Sequence, residues 1–190
     1  MRIPLLKAGA LVPGILAVSL ASADPAQDYA RGTEAYKRED LMTAMRLLEQ
    51  ASGAGHVPAK FMLAYILDQA EENEAALRLY REAAERGHPE AQFSLGTMYI
   101  SGDGVEKDLG QGRQWYERAA RSGYLQATLV LALAYLEGNL GVKADREQAI
   151  DWLRYGEQKG FTPAKKMLSE VEEGRWQRKS TAPDLKRDSQ

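Results

Sequence analysis

Cysteine is absent from the 190-residue chain, and histidine occurs only twice, as His56 and His88. The absence of cysteine excludes disulfide frameworks, cysteine-based zinc sites, iron–sulfur clusters and a cysteine nucleophile. Two histidines leave little for histidine-rich metal sites or catalytic triads, so no metal and no cofactor is expected. The formal charge of −2 also lacks the basic excess that is typical of nucleic-acid binding. The chain is nevertheless long enough to pack one domain without such staples.

The chain begins with a segment typical of a cleaved export signal. Two cations precede an uncharged apolar run over residues 8–20, which is shorter than the ~20 residues that a membrane-spanning helix requires. Ala21-Ser22-Ala23 follows with the small residues of a signal-peptidase site. We therefore expect a signal peptide over 1–23, cleavage near Ala23-Asp24, and a periplasmic or secreted protein without a membrane span. The alternative is an uncleaved N-terminal anchor.

Charge is distributed unevenly over the remainder of the chain. Residues 24–174 carry 18 basic and 25 acidic side chains, a net charge of −7, whereas residues 175–190 carry five and two, a net charge of +3. The predicted domains are therefore a folded body over 24–174 and a charged, disordered tail over 175–190. Anionic lipid or the acidic body are alternative contacts for the tail. The acidic corner over 68–74 is interpreted as a solvated turn, with docking of a basic partner as the alternative.

A short pattern recurs four times, and it organises the rest of the chain. Each copy reads Gly, a ring-bearing residue, two variable residues and Ala; the copies begin at Gly55, Gly87, Gly123 and Gly160, so the steps are 32, 36 and 37 residues. This spacing is typical of stacked two-helix units. Small residues recur at the same steps and would let paired helices approach closely. They are Ala44, Ala76, Gly112 and Ala149; Ala51, Ala83, Ala119 and Gly156; and Gly32, Ala64, Gly96 and Ala132.

The repeat predicts an all-α fold of about four antiparallel helix pairs and a C-terminal capping helix. In each copy the Gly would end a helix in the left-handed conformation, and the ring after it would close onto the last turn. Asp108 and Asp145, each with Gln three residues later, resemble capping boxes at helix starts. The predicted helices span 25–37, 40–54, 57–69, 73–86, 89–101, 108–122, 125–138, 145–159 and 162–173.

The third unit resembles a known repeat, the Sel-one-like repeat (SLR) of the tetratricopeptide (TPR) superfamily. The hallmark of that repeat is an inter-helix loop of Gly-x-Gly-Val-x-x-Asp, followed by Trp-Tyr and paired alanines. The fourth unit keeps the pattern with changes, and the first two are closer to generic TPR units. The resemblance covers about 29–164 and implies a right-handed α-solenoid. In the third unit it is carried by Gly102-Asp103-Gly104-Val105, Asp108, Trp115-Tyr116 and Ala119-Ala120.

The resemblance implies a non-catalytic adaptor rather than an enzyme. Similar exported bacterial proteins act as scaffolds in signalling and envelope assembly, so a protein or peptide partner is expected, with the chain a monomer or weak dimer. Some relatives with cysteines in each repeat have been credited with penicillin binding or β-lactamase activity. This chain departs from them at every cysteine and lacks the Ser-x-x-Lys nucleophile motif. Binding or hydrolysis of cell-wall fragments or β-lactams, and glycan binding by the groove tyrosines, are the alternatives.

By fold analogy, the first helix of each pair lines the concave face of such a solenoid. A ladder of rings and leucines runs through the groove-facing positions, and spaced anchors of this kind suit a peptide or helix with apolar side chains. The alternative is that the rings pack between neighbouring first helices. The predicted groove residues are Tyr29, Thr33, Tyr36 and Lys37, then Phe61, Tyr65 and Asp68, then Phe93, Thr97 and Ile100, and finally Leu129, Leu133 and Leu136.

The other residues with metal-ligand or ring chemistry have structural interpretations. His56 and His88 occupy a repeat column that holds aromatic rings in the other two units, which favours helix capping over a metal pair. The acidic loop over 103–108 could suggest calcium, but it lacks the alternating ligands of an EF-hand, and the repeat accounts for its glycines. Trp115 and Trp152 stand at equivalent positions and are predicted to pack between units.

Overall fold

The computed structural model describes residues 24–177, in which nine α-helices follow one another without a strand. The predicted all-α repeat fold is confirmed, and each predicted helix is present within a few residues of its expected bounds. The predicted signal peptide over 1–23 and the part of the predicted tail beyond residue 177 lie outside the described residues. The helices are α1 (Pro25–Lys37), α2 (Leu41–Gly53), α3 (Val57–Gln69), α4 (Asn73–Glu85), α5 (Pro89–Ser101), α6 (Leu109–Arg121), α7 (Gln126–Glu137), α8 (Arg146–Gln158) and α9 (Thr162–Glu172).

The recurring Gly-ring pair closes the second helix of every unit. All four glycines of the pattern have positive φ, between 80° and 108°, which only glycine adopts without cost. The residue after each glycine donates its backbone N–H to a carbonyl five residues back, as in a Schellman motif. The four bonds run from His56 to Ala51 (3.0 Å), from His88 to Ala83 (3.1 Å), from Tyr124 to Ala119 (2.9 Å) and from Phe161 to Gly156 (3.0 Å).

The two histidines have a second capping role at the start of the next helix. His56 Nδ1 accepts a hydrogen bond from the Ala59 backbone N–H at 3.2 Å, and His88 Nδ1 accepts one from Ala91 at 3.4 Å. Each imidazole therefore satisfies an N–H group at a helix N-terminus that has no partner within the helix. The predicted capping role is confirmed, and one residue joins the end of one helix to the beginning of the next.

Close approach of the paired helices explains the small-residue columns. A Cβ added at Gly112 would lie 2.5 Å from Ile100 Cγ1 and 2.8 Å from the Gly96 carbonyl oxygen. At Gly96 it would lie 2.8 Å from Tyr116 Cδ1. Larger residues between these columns fill the space between units: Leu48, Tyr80, Tyr116 and Leu153 are all at most 1% exposed. Each buried cluster combines residues of successive units, so the core is continuous along the solenoid.

The long loops of the third and fourth units reach back to the preceding unit. Gly104 has φ 67°, and a Cβ there would lie 2.9 Å from the backbone carbon and oxygen of Asn73, the first residue of α4. Gly141 approaches Leu109, the first residue of α6, in the same manner, with 3.6 Å to its Cβ. Glycine is therefore needed at Gly104 because the Asn73 backbone lies against it, and at Gly141 because its φ is 76°.

The C-terminal end of the body is closed by a residue of the predicted tail. Trp176 packs against the buried cluster of α7, α8 and α9, and its backbone N–H donates to the Glu170 carbonyl at 2.8 Å. Arg146 reaches across from the start of α8 and donates to the Val171 carbonyl at 2.5 Å. Packing around α9 therefore extends to residue 176. None of the helices within 24–177 is long and apolar enough to cross a bilayer.

Candidate functional site

The predicted groove residues lie on α1, α3, α5 and α7, and all except Lys37 stand at matching positions of the repeat. Lys37 is exposed, and every other member is partly buried with part of its side chain still accessible. First helices of neighbouring units contact each other, as α1 with α3 and α7 with α9. The residues therefore form rows that continue from unit to unit. Their role in binding a partner stays a prediction.

The rings of the aromatic ladder are held in the scaffold by contacts with other rings. Phe61 stacks on His88 with 4.7 Å between ring centroids and an interplanar angle of 20°. Tyr29 lies against His56 and Phe93 against Tyr124, each with 4.8 Å between centroids. Each ladder ring thus contacts the ring that begins the next first helix, as the packing alternative expects. The groove keeps only the remaining accessible parts of these rings.

Hydrogen bonds and ring contacts also hold the polar groove residues. Tyr36 and Tyr65 meet edge to face at 6.4 Å between centroids. Burial, and then the neighbouring Tyr65, raise the pKa of Tyr36 above its ordinary value. Thr97 Oγ1 lies 3.0 Å from the Tyr116 hydroxyl, and Asp68 Oδ2 accepts from the Tyr80 hydroxyl at 3.5 Å. Because these side chains are already engaged, they fix the shape of the groove in the first three units.

The fourth unit offers a purely aliphatic surface. Leu129, Leu133 and Leu136 are partly exposed, and Ile100 occupies in the third unit the position that Leu136 occupies in the fourth. Leu129 and Leu136 are anchored against the C-terminal cluster, and Ile100 against the cluster around Tyr116. We call these four residues the aliphatic section. Its side chains carry no polar atom, three of the four pack against buried clusters, and all remain partly accessible.

The groove continues onto α9, which sequence reasoning treated only as a cap. The step of 37 residues from Ala127 to Ala164 carries Leu129 to Lys166 and Leu133 to Glu170. Lys166 is exposed and Glu170 partly exposed, and α9 contacts α7. The aliphatic section is therefore followed by charged side chains. The spacing of the repeat predicts both positions when the step of 37 residues is applied once more, beyond the fourth unit.

The acidic loops show structural bonding rather than convergence on a metal. Asp103 Oδ2 accepts from the Ser101 hydroxyl at 2.5 Å, and Asp108 Oδ1 caps α6 by accepting from the Gln111 backbone N–H at 2.9 Å. That hydrogen bond, followed by the Gln111 side chain, lowers the pKa of Asp108. Between residues 24 and 177 no three His, Cys, Asp or Glu side chains come together as metal ligands.

The predicted inter-unit positions of the two equivalent tryptophans are also confirmed. Trp115 packs against the cluster that joins α4 and α5, and Trp152 packs against both of the last two clusters. The acidic corner remains at the surface, with Glu71, Glu72 and Glu74 exposed. Its predicted docking alternative is untested.

The Sel1 repeat model matches four segments, at residues 26–56, 57–88, 89–124 and 126–161. The chain belongs to the Sel1 repeat family. Sel1 repeats are generally protein-interaction modules, so the family favours a protein as the binding partner. The matched segments coincide with the four helix pairs and contain every predicted groove residue.

Two solved structures are similar to this Sel1 repeat protein. A Sel1 repeat protein from Oxalobacter formigenes is 28% identical with a TM-score of 0.68, and the match covers 78% of this chain and 63% of that one. A protective antigen present in uropathogenic Escherichia coli strains, displaying an SLR fold, is 26% identical with a TM-score of 0.71; the match covers 81% of this chain and 35% of the antigen. The chain thus spans less than two thirds of either relative. No curated protein sequence matches it.

Proposed function

We propose that this Sel1 repeat protein is a non-catalytic scaffold that holds a partner protein or peptide in the groove of its first helices. The aliphatic section carries the proposal. Ile100 and Leu136 occupy matching positions in successive units, three of its four side chains pack against buried clusters, and all four are partly exposed to water. A partner that covers this surface gains hydrophobic free energy. The general role of Sel1 repeats supports a protein partner.

The polarity of the side chains that line the groove changes along its length, and this order suggests how a partner would lie. Tyrosine hydroxyls and Asp68 line the first two units, the aliphatic section lines the next two, and Lys166 and Glu170 follow on α9. A helix or extended segment with an apolar stretch between two polar stretches matches this order. Its apolar side chains would contact the third and fourth units.

Leu133→Ser tests the groove without removing a fully buried side chain. Leu133 is partly exposed and lies outside the buried residues of the four clusters. We expect the variant to keep the helical circular-dichroism spectrum and to lose about tenfold in affinity for the captured partner, equivalent to roughly 1.4 kcal/mol. Partners captured from envelope extracts would be quantified by mass spectrometry and then measured with purified proteins.

Met42→Ser is the matched control because Met42 is 85% exposed and does not belong to the groove. It should capture the same partner as the parent protein. If Leu133→Ser and Met42→Ser recover every partner equally well, the groove is not the binding surface and the proposal fails.

We further propose that the scaffold acts in the bacterial envelope after export. The support is the N-terminal sequence, in which a short apolar run ends at Ala21-Ser22-Ala23. Intact-mass measurement of the protein from a periplasmic fraction or culture medium should show a chain that begins at Asp24. A full-length mass confined to the cytosol would contradict this location.

A further inference from the structure

A second concave surface lies on the second helices rather than along the groove. It is a shallow cleft of about 410 Å³ between the end of α6 and the outer side of α8. Arg121, Gln148, Asp151, Trp152 and Tyr155 line it. None of these residues belongs to the predicted groove, and a ligand here would leave the groove free.

Two rings form a rigid corner of this cleft. The Trp152 and Tyr155 ring centroids are 6.1 Å apart and their planes meet at 79°. Trp152 packs with the buried clusters of both the third and the fourth unit, which fixes its indole. Both rings remain partly exposed. The corner therefore presents preorganised aromatic surface to solvent, and a ligand would not have to order it.

Polar side chains with unused hydrogen-bonding capacity surround the rings. Arg121, Gln148 and Asp151 are exposed, and within the described residues none of their side chains forms a hydrogen bond or ion pair. The nearby Arg154, by contrast, pairs with Glu172 at 2.8 Å. The three side chains differ in chemistry, because a guanidinium only donates, a carboxylate only accepts and an amide does both.

The geometry points to a neutral saccharide as the ligand of this cleft. A sugar ring has an apolar C–H face, which can stack on the indole, and hydroxyls that both donate and accept, which match the mixed set around it. Asp151 opposes a purely anionic ligand. Arg121, with its guanidinium carbon 5.8 Å from the Trp152 centroid, and Lys159, with Nζ 5.7 Å from the Tyr155 centroid, oppose a purely cationic one.

The third unit provides an internal comparison. Trp115 is equivalent to Trp152, but Arg118 stands where the fourth unit has Tyr155. The Arg118 guanidinium lies 4.5 Å from the Trp115 centroid and covers that ring from its own helix. The side chain of Gln111, the equivalent of Gln148, donates to Asp108 Oδ2 at 3.1 Å. The tryptophan is thus closely covered by a guanidinium in the third unit, whereas in the fourth the Arg121 guanidinium stays 5.8 Å from the ring centroid.

The chain has three tryptophans, Trp115, Trp152 and Trp176, so its nitrogen–proton NMR spectrum contains three indole N–H signals. Single Trp→Phe variants assign them. We would titrate the whole chain with cellohexaose, chitohexaose and maltohexaose, and separately with a proline-rich peptide. At least one oligosaccharide should shift the Trp152 signal saturably and leave the Trp115 signal in place.

Variants of exposed residues then test the polar contacts without disturbing the core. Gln148→Ala and Asp151→Ala should each weaken saccharide binding by about tenfold, as expected for the loss of a hydrogen bond made within a preformed site. Gln114→Ala, which alters the equivalent of Asp151 in the third unit, should change the affinity by less than about twofold. Leu133→Ser should bind the saccharide like the parent chain, which separates this site from the groove.

Three outcomes would overturn the inference. The first is a Trp152 signal that no oligosaccharide moves. The second is an equal shift of Trp115 and Trp152, which would indicate nonspecific contact with exposed rings. The third is a saturable response to the proline-rich peptide alone, which would make the cleft a peptide site.

Discussion

The first two units and the last two form the same helix pairs through different connections. In the first two, the turns are short, and Glu39 and Glu71 have φ of 63° and 61°, a conformation that costs a non-glycine residue free energy. In the last two, longer loops supply glycines at the equivalent place and contact the preceding unit through Gly104 and Gly141.

This difference indicates that the Sel1-type loop adds a contact between consecutive units. The third and fourth units are joined to their predecessors both by the shared core and by a loop that lies against a helix start. The first junction has the shared core and side-chain contacts, such as the Arg86 guanidinium that donates to the Gly55 carbonyl at 2.9 Å. In the described part of the chain, the first junction has no such loop contact. We therefore expect the first unit to unfold locally more readily than the others.

The largest loss of stability is expected at the tightly packed crossing of α5 and α6 in the third unit. Gly112→Ala places a Cβ 2.8 Å from the Gly96 carbonyl oxygen, and backbone cannot move aside as a side chain does. The free energy of unfolding should fall by about 3 kcal/mol, as measured by urea denaturation. Ala76→Gly, at the equivalent position of the second unit, should cost only about 1 kcal/mol. Equal losses would show that the two pairs are packed alike.

A smaller loss is expected when the loop contact is disturbed. Gly104→Ala combines a positive φ with a Cβ 2.9 Å from the Asn73 backbone, so it should cost about 2 kcal/mol. Amide exchange at the start of α4 should become faster. Gly87→Ala has a positive φ of 85° but no atom within 4 Å of the added Cβ, and should cost about 1 kcal/mol. If the amide of Ala76, which donates to the Glu72 carbonyl at 3.0 Å, keeps its protection in Gly104→Ala, the loop does not hold the two units together.

Replacing a residue of positive φ with glycine in the turns of the first two units should stabilise that half of the solenoid. Glu71→Gly removes the cost of the left-handed conformation and adds chain entropy to the unfolded state, so a net gain of about 0.5 kcal/mol is expected. Glu74→Gly, three residues later inside α4, should instead lose about 1 kcal/mol. Thermal unfolding of the two variants would therefore shift in opposite directions, and a loss in both would show that the turn is not strained.

The smallest expected effect is a dependence of stability on pH, caused by His88 at the junction between the second and third units. Burial lowers the pKa of His88 below 6.5, and Glu90 acts in the opposite direction. Because the unfolded chain then binds a proton more readily than the folded one, stability is full above pH 6.5 and falls as the pH drops below it towards the folded-state pKa. His88→Tyr, with the residue that the next unit carries at Tyr124, should lose less stability between pH 7 and 5. Parallel pH profiles in the two proteins would contradict this assignment.

The repeat columns were enough to predict the helices and the buried small residues, because each column has a local cause: a glycine in the left-handed conformation, or a crossing that admits only a small side chain. The partner of each groove ring was not predictable in the same way. Phe61 on α3 meets His88 at the start of α5, and the residue pattern contains no information on the distance between these two helices.

The cleft on α8 was missed for a related reason. Trp115 and Trp152 are equivalent in sequence, and they differ in exposure to ligand because Arg118 covers one ring while Tyr155 stands beside the other. That difference comes from the side chains around each tryptophan and not from the tryptophan itself. The closure of the C-terminal end by Trp176 also depends on packing, because composition assigned it to the tail.

The ring pairs between first helices also differ from one junction to the next. Phe61 and His88 stack, whereas Tyr29 and His56, and Phe93 and Tyr124, meet at tilted angles of 37° and 45°. At the last junction the ladder position is held by Leu129. In the proposed binding mode, the side chain at each ladder position therefore decides which surface a bound segment meets in that unit. Exchange of a single ring for an aliphatic residue would change that surface in one unit at a time.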